Sequence, residues 1–243
     1  MSKLQTVSYL GHSAIFIKTQ DGLTIGIDPW LMGNPSCPEP LQNPERLDLI
    51  VLTHGHSDHA GDCLRLQKLT NAKVAATFEL AMILKQEGLP ESALIPMNKG
   101  GTIEFNQISV SLSHAFHSSS FDLNSGVSRY AGEACSAIIR DCAGTSIFHA
   151  GDTALFSDLA LIKHLYQPQL AFLPIGDRFT MNPQEAALAA QYLGVKVACP
   201  IHYKTFALLT GTAPEFIEHC SKAKINAREL EVGLSYEISK LIS

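Results

Sequence analysis

The sequence has no excess of positive charge, no long hydrophobic run, no paired cysteines and no low-complexity stretch. Lys and Arg total 18 against 23 Asp and Glu, a net charge of −5. The basic footprint of a general nucleic-acid binder is therefore missing, and a nucleic-acid partner is not expected. No apolar stretch approaches the ~18 residues needed to cross a bilayer, so no membrane span is expected. The opening segment MSKLQTVSYLGHSAIFIKT lacks a basic start, a long apolar run and a small-residue cleavage site, so no signal peptide is expected. The six cysteines (37, 63, 135, 142, 199 and 220) form no Cys-x-x-Cys pair. Without a secretory signal they are expected as reduced thiols in the cytoplasm, each a small buried hydrophobe. The nearest thing to a linker is Asn34-Pro35-Ser36-Cys37-Pro38-Glu39-Pro40, followed by Pro44, which reads as an ordered surface loop.

What is present is a globular chain. The 243 residues are 46% apolar and 17% charged, enough for a sizeable core, and one domain over 1–243 is expected. Short β-type runs fall at 5–9, 14–18, 24–28, 47–53, 73–76 and 108–113, then at 137–140, 145–149, 170–174 and 196–200. Alternation, as in Ile108-Ser109-Val110-Ser111-Leu112, suits a half-buried strand. The continuous run Leu49-Ile50-Val51-Leu52 suits a strand covered on both faces. Helical spacing interleaves at 64–69 and 78–86. Asn182-Pro183-Gln184-Glu185 predicts a capped helix running to Leu193 and stopped by Gly194. Thr212-Ala213-Pro214-Glu215 predicts another, ending near Lys222. Strands with helices spread through both halves point to sheets covered by helices, an α/β protein.

The chemistry concentrates where one apolar strand ends, in Thr53-His54-Gly55-His56-Ser57-Asp58-His59. Residues two apart in an extended segment face the same way, so His54 and His56 can share one cation. Asp58 and His59, beyond a turn at Ser57, can point to a second. Neutral imidazole is a common metal ligand, and a carboxylate offsets charge. The plain alternative is a polar loop with chance histidines, a poor account of three His and one Asp within six residues. Three further candidates follow other predicted strands: His117, Asp152 in His149-Ala150-Gly151-Asp152-Thr153, and His202 in Pro200-Ile201-His202-Tyr203. Ligands at strand ends sit on a rigid platform and can converge on one sheet edge.

His-x-His-x-Asp-His, a later His, Gly-Asp-Thr and a final His after a strand resemble the metallo-β-lactamase superfamily. The nearer resemblance is to the metal-dependent hydrolases named UPF0173, themselves similar to ascorbate-phosphate lactonases. It rests on Gly11-His12-Ser13-Ala14, Asp28-Pro29-Trp30-Leu31, His117-Ser118-Ser119-Ser120, the segments 149–153 and 174–181, and Pro200-Ile201-His202-Tyr203-Lys204-Thr205-Phe206. Lys204 departs from the Asn or Gly expected there. The resemblance implies a four-layer αββα sandwich of two similar halves. It implies one cation held by His54, His56 and His117, a second by Asp58, His59 and His202, and Asp152 bridging them. Zinc is the default, with manganese or iron as alternatives. The chemistry implied is a metal-bridging hydroxide cleaving a small ester, lactone or phosphodiester, with Asp58 as a catalytic residue that also orients the nucleophile. A di-iron redox enzyme of the same fold and a non-catalytic metal-binding scaffold are the competing classes.

Around this core, His12 and Asp28 are either supports that fix a ligand's orientation or ordinary turn and strand-end residues. His149 reads as a buried support rather than a ligand. His114 competes with His117, which is preferred for its Ser-Ser-Ser sequel. His164 and His219 read as surface residues on helices. Asp177, Phe179 and Thr180 read as a strand-to-helix connection that could line a pocket. Lys204, Arg129 and Arg178 could meet an anionic group on a small-molecule substrate, but solvated side chains are the plainer reading. Assembly into a homo-oligomer is left open.

Overall fold

A computed structural model describes residues 3–243. The first half runs β1 (Leu4–Tyr9), β2 (Ile15–Thr19), β3 (Thr24–Ile27), β4 (Leu49–Val51), α1 (Ser57–Ala60), α2 (Cys63–Thr70), β5 (Lys73–Thr77), α3 (Phe78–Gln86) and β6 (Leu94–Met97). The second begins with β7 (Thr102–Phe105), β8 (Ile108–His114), β9 (Ser120–Asp122), β10 (Ser128–Tyr130), β11 (Cys135–Arg140) and β12 (Ser146–His149). It continues with α4 (Leu159–Tyr166), β13 (Leu170–Pro174), α5 (Pro183–Leu193), β14 (Val197–Ile201), α6 (Ala213–Lys222) and β15 (Asn226–Ala227). The chain closes with β16 (Ser235–Glu237) and α7 (Ile238–Leu241).

Two seven-stranded sheets result, ordered β16-β1-β2-β3-β4-β5-β6 and β15-β14-β13-β12-β11-β8-β7, beside a small β9–β10 ribbon. Their pairing sense matches strand for strand. In the first, β16, β1, β2 and β3 pair antiparallel and β3 to β6 parallel. In the second, β7, β8, β11 and β12 pair antiparallel and β12 to β15 parallel. The final strand completes the first sheet, so the two halves are interlocked by the chain's end.

Strand alternation builds the layers. Leu49 and Val51 of β4 join the core between the sheets, with Ile25 and Ile27 from β3 and Val110, Leu112 and Ile139 from the opposite sheet. Their neighbours Ile50 and Leu52 face outward onto Leu66 of α2 and Leu80 and Leu84 of α3. Beyond the second sheet, Ala186, Ala190 and Leu193 of α5 and Phe216 of α6 pack against it. That is helix, sheet, sheet, helix, the sandwich expected from the resemblance. Each fully buried Ile, Leu or Phe contributes about 1.5–3 kcal/mol, so this doubly covered core carries most of the stability.

Local signals match their elements where short-range chemistry dominates. Asn182 and Thr212 both form capping boxes, with Glu185 and Glu215, each followed by proline in the first turn, and Gly194 caps α5 at φ 61°. The differences have physical reasons. Residues 57–60 form a turn of helix, not the simple turn expected at Ser57, with His56 as its N-cap. The edge strands β6, β7, β15 and β16 were not anticipated, because they are short or lack a sustained apolar pattern. Cys142 corrects the expectation of six buried thiols. It is exposed in the β11–β12 hairpin turn, where no core reaches it, while the other five are buried.

Candidate metal centre

The carboxyl ends of β3, β4, β12 and β14, with the segment after β8, deliver the polar cluster to one edge of the sandwich. Asp28 follows β3, His54 to His59 follow β4, His117 follows β8, Asp152 follows β12 and His202 follows β14. Two glycines permit the approach. A side chain at Gly55, between His54 and His56, would meet the Ser120 carbonyl at 2.8 Å. At Gly151, before Asp152, the backbone is left-handed (φ 60°), and an added Cβ would lie 2.7 Å from Thr53.

Asp152 is the hub. Its Oδ1 lies 3.3 Å from His59 Nε2, and its Oδ2 lies 3.1 Å from His202 Nε2, 3.6 Å from His117 Nε2 and 3.9 Å from His54 Nε2. His54 Nε2 is 3.1 Å from His56 Nδ1, and His202 Nε2 is 3.9 Å from Asp58 Oδ2. Three sets of donor atoms lie close enough to share a cation: His54, His56 and His117; Asp58, His59 and His202 together with His12; and Asp28, His54 and His59. His54, His59, His202 and Asp152 form a buried floor. His56, Asp58 and His117 are half-buried at the mouth of a cavity of about 310 Å³, which Ser118, Phe179 and Phe206 also wall.

The donor set fits a metal. His59 Nε2 and Asp152 Oδ1 are buried and face each other, yet neither has a hydrogen-bond partner. Orphaned buried polar atoms are costly and ask for a ligand. Donors at ~2.0–2.1 Å from a tetrahedral cation stand roughly 3.3 Å apart. The 3.1–3.6 Å separations within the cluster are of that size.

The surroundings decide which ring nitrogens carry protons. Asp28, fully buried, accepts from Thr53 N (2.8 Å), from Thr53 Oγ1 (2.6 Å) and from His59 Nδ1 (2.8 Å). A carboxylate only accepts, so His59 carries its proton on Nδ1 and turns the Nε2 lone pair to the cluster. Thr53 gives its hydroxyl proton to Asp28, so its oxygen accepts from His54 Nδ1 at 3.0 Å. His54 is thereby set to present Nε2 as well. His12 is arranged the other way. Its Nε2 donates to Asp58 Oδ2 at 3.1 Å, and its Nδ1 accepts from Thr205 Oγ1 at 2.6 Å. His149 donates from Nε2 to the Ser13 carbonyl (2.9 Å) and accepts the Gly151 N–H at Nδ1 (3.1 Å). Neither His12 nor His149 turns a lone pair to the cluster.

The electrostatics follow from burial and from the acids. Burial holds His54, His56 and His117 below the ordinary imidazole value, which favours the neutral form that is able to ligate a cation. His12 is pushed down to about 4, by burial first and then by the neighbouring His202. Burial also acts to lower His59, but Asp152 and Asp28 outweigh it and raise the value. Burial acts to raise Asp28, Asp58 and Asp152, and adjacent histidines outweigh it, leaving all three below the usual carboxylate range. The backbone is strained at this edge: His12, Asp28 and His202 all have positive φ (54°, 44° and 55°). The His202 N–H reaches across to the His12 carbonyl at 2.7 Å, tying the two halves together beside the site.

Comparison with known proteins adds the family. The profile of the beta-lactamase superfamily domain matches residues 24–203, the span that contains the whole cluster. A UPF0173 metal-dependent hydrolase from Rubrobacter xylanophilus is 42% identical over 234 residues, covering 96% of this chain and 93% of its own. The chain belongs to this family. A further member from Roseiflexus castenholzii is 40% identical over 237 residues, covering 96% of this chain and 97% of its own. Among solved structures, Igni18, a metallo hydrolase from Ignicoccus hospitalis, superposes with a TM-score of 0.84 at 34% identity, covering 97% of this chain and 99% of that one. This is therefore a metal-dependent hydrolase of the metallo-β-lactamase superfamily, with the fold that its resemblance implied.

The remaining sequence candidates sort by position. His114 lies away from the cluster, packed edge-on to Phe116 and Phe156. His164 is exposed and His219 half-buried, both on helices of the second half. Lys204 is exposed and paired with Glu229 at 3.1 Å, on a separate cavity behind the His202 loop. Arg129 contacts Gln86. Arg178 lies over the Phe179 ring at 5.7 Å. Thr53 and Thr205 were not anticipated, since a lone threonine carries no chemical signal until its partner is in place.

Proposed function

We propose that this chain hydrolyses a small ester, lactone or phosphodiester with two divalent cations. His54, His56 and His117 would hold one and Asp58, His59 and His202 the other, with Asp152 available to both sets. Zinc is the default for so histidine-rich a set, with manganese or iron as alternatives. The observation that carries the reading is Asp152, a buried carboxylate within 3.9 Å of four imidazole nitrogens, with one oxygen free of any hydrogen bond. Cations so held supply Lewis acidity for the attacked oxygen and lower the pKa of a shared water.

The chain's own residues do the rest. Asp28 and Thr53 keep His59 and His54 in the tautomers that leave Nε2 free. Asp58, half-buried at the mouth, is ionised at neutral pH, because the His12 hydrogen bond and His59 outweigh its burial. It therefore accepts a hydrogen bond and orients the incoming water rather than donating a proton. His12 anchors Asp58 in that orientation from below, through Thr205.

The test is turnover by metal-reconstituted protein on generic esters, lactones and bis-p-nitrophenyl phosphate, with His56→Ala in parallel. Wild-type protein should turn over at least one class, and His56→Ala should abolish that activity and bind less metal. Unchanged metal content in the variant would overturn the ligand assignment. Full metal loading without any turnover would favour a binding scaffold.

A further inference from the structure

We propose that the site takes an ester or lactone whose non-reacting part is apolar, seated between Phe179 and Phe206. This rests on the hydrolase reading above and narrows it. Phe179 is 50% and Phe206 39% exposed, yet both wall the cavity that opens over Asp152 and His202. Leaving two aromatic rings in water forgoes the gain from burying them, and exposed apolar surface beside a reactive centre marks a binding surface.

Both rings are held in place. Phe206 stacks on Trp30 (5.9 Å between centroids) and stands edge-on to His12 (5.4 Å), so it is braced against the layer that supports the cluster. Phe179 leaves a turn in which Asp177 and Arg178 both take left-handed backbone (φ 63° and 44°). The Asp177 N–H bonds back to the Met181 carbonyl at 3.0 Å, and the Phe179 N–H turns back to the Asp177 carbonyl. Two consecutive non-glycine residues there cost conformational energy, and the result is a ring presented at the mouth. A disposable loop residue would not need that backbone.

Among the described residues, no lysine or arginine lines this cavity. Lys204, the cation nearest in sequence to His202, is engaged by Glu229 on the other cavity, which Tyr203 OH also joins at 2.8 Å. The pocket thus offers polar contact at the candidate ligands His56, Asp58, His117, Asp152 and His202 and at Ser118, and its apolar contact comes from Phe179 and Phe206. Its volume of about 310 Å³ is at the small end of the ~300–1,000 Å³ typical of small-molecule sites. The reaction is hydrolysis. The oxygen of one water bonds to the carbonyl carbon, and the C–O bond to the alcohol breaks. One water proton ends on the alcohol oxygen, and the other leaves as the acid ionises.

The experiment uses metal-reconstituted full-length protein and p-nitrophenyl esters from acetate to hexanoate. Bis-p-nitrophenyl phosphate and a carboxylate-bearing ester serve as competitors. We expect kcat/KM to rise by up to about fourfold per added methylene, the factor for full burial of one CH₂. Phe179→Ala and Phe206→Ala should flatten that slope with bound metal unchanged. A flat series in wild-type protein would overturn the proposal, as would a preference for the phosphodiester. So would a preference for the carboxylate-bearing ester that disappears in Arg178→Ala. If the phenylalanine variants change the sedimenting mass and leave the slope intact, the rings serve a protein contact and the proposal falls. No turnover on any substrate would sink this proposal and the hydrolase reading together.

Discussion

Replacing Asp28 by Asn separates the support of the candidate metal centre from the ligands proposed for it. Asp28 has no solvent exposure and sits at φ 44°. Asn tolerates that left-handed backbone as well as Asp does, so the change adds no strain. It changes one oxygen to an NH₂ and removes a charge. Three donors surround the carboxylate: Thr53 N, Thr53 Oγ1 and His59 Nδ1. Whichever way the amide turns, its NH₂ meets at least one of them, donor against donor. A hydrogen bond to a charged group is worth about 1.5–3 kcal/mol. Loss of one, with weakening of the others, should cost roughly 2–4 kcal/mol of stability. At this chain length that lowers Tm by roughly 4–16 °C.

The second consequence is at His59. Without an acceptor at Nδ1, the ring is free to carry its proton on Nε2, which faces Asp152 Oδ1 at 3.3 Å. A protonated Nε2 cannot ligate. Loss of such a supporting carboxylate typically costs 10–100-fold in metal affinity, or about 1.4–2.8 kcal/mol. The assay is competition with a chromophoric chelator, alongside urea unfolding of the metal-free protein. Asp28→Asn with wild-type metal affinity would refute the tautomer argument, even if its stability fell as expected.

Two further predictions concern proton and thiol chemistry. His12 is held at about 4 against an ordinary value near 6.5, so between those values unfolding takes up a proton and stability rises with pH. That contribution, about 3 kcal/mol, is complete above pH ~6.5 and is lost as pH falls toward 4. His54, His56, His117 and His149 shift in the same direction, while His59 opposes them. The urea midpoint of chelator-treated protein should therefore be lower at pH 5 than at pH 7.5, and His12→Asn should shrink the difference. A midpoint independent of pH would contradict this. Burial pushes the Cys37 thiol up to about 11, and Cys63, Cys199 and Cys220 to about 12, while Cys142 is exposed. Native protein at pH 8 should react with one equivalent of a thiol reagent and denatured protein with six, and Cys142→Ser should remove the native reaction.

Much of the fold was legible because its central strands are apolar throughout. Leu49-Ile50-Val51-Leu52 must be covered on both faces whatever the rest of the chain does, and β13 (Leu170–Pro174) reads the same way. The capped helices α5 and α6 were legible from four-residue signals, because capping is local. The edge strands were not, since β15 spans two residues and β7 is only half-buried. Their pairing is set by a neighbour distant in sequence. At the site, the dense run from His54 to His59 and the strand-end positions of His117, Asp152 and His202 marked the residues that the fold brings together. His12 and Asp28 could be named but not assigned a role, and Thr53 and Thr205 stood in the motifs with nothing to mark them as partners of the histidines.

The amino-acid sequence by itself determined which side chains have cation-binding chemistry and which strand ends carry them, because donor type and apolar patterning are properties of short segments. Only the tertiary structure decided what each of those side chains does. His59 is held by Asp28, 31 positions away, and His12 by Thr205, 193 positions away. Which nitrogen keeps its proton, and so which ring can face a metal, depends on those distant partners. The aromatic mouth is likewise a product of folding: Phe179 and Phe206 wall one cavity because the loops after β13 and β14 leave neighbouring parallel strands at the same edge.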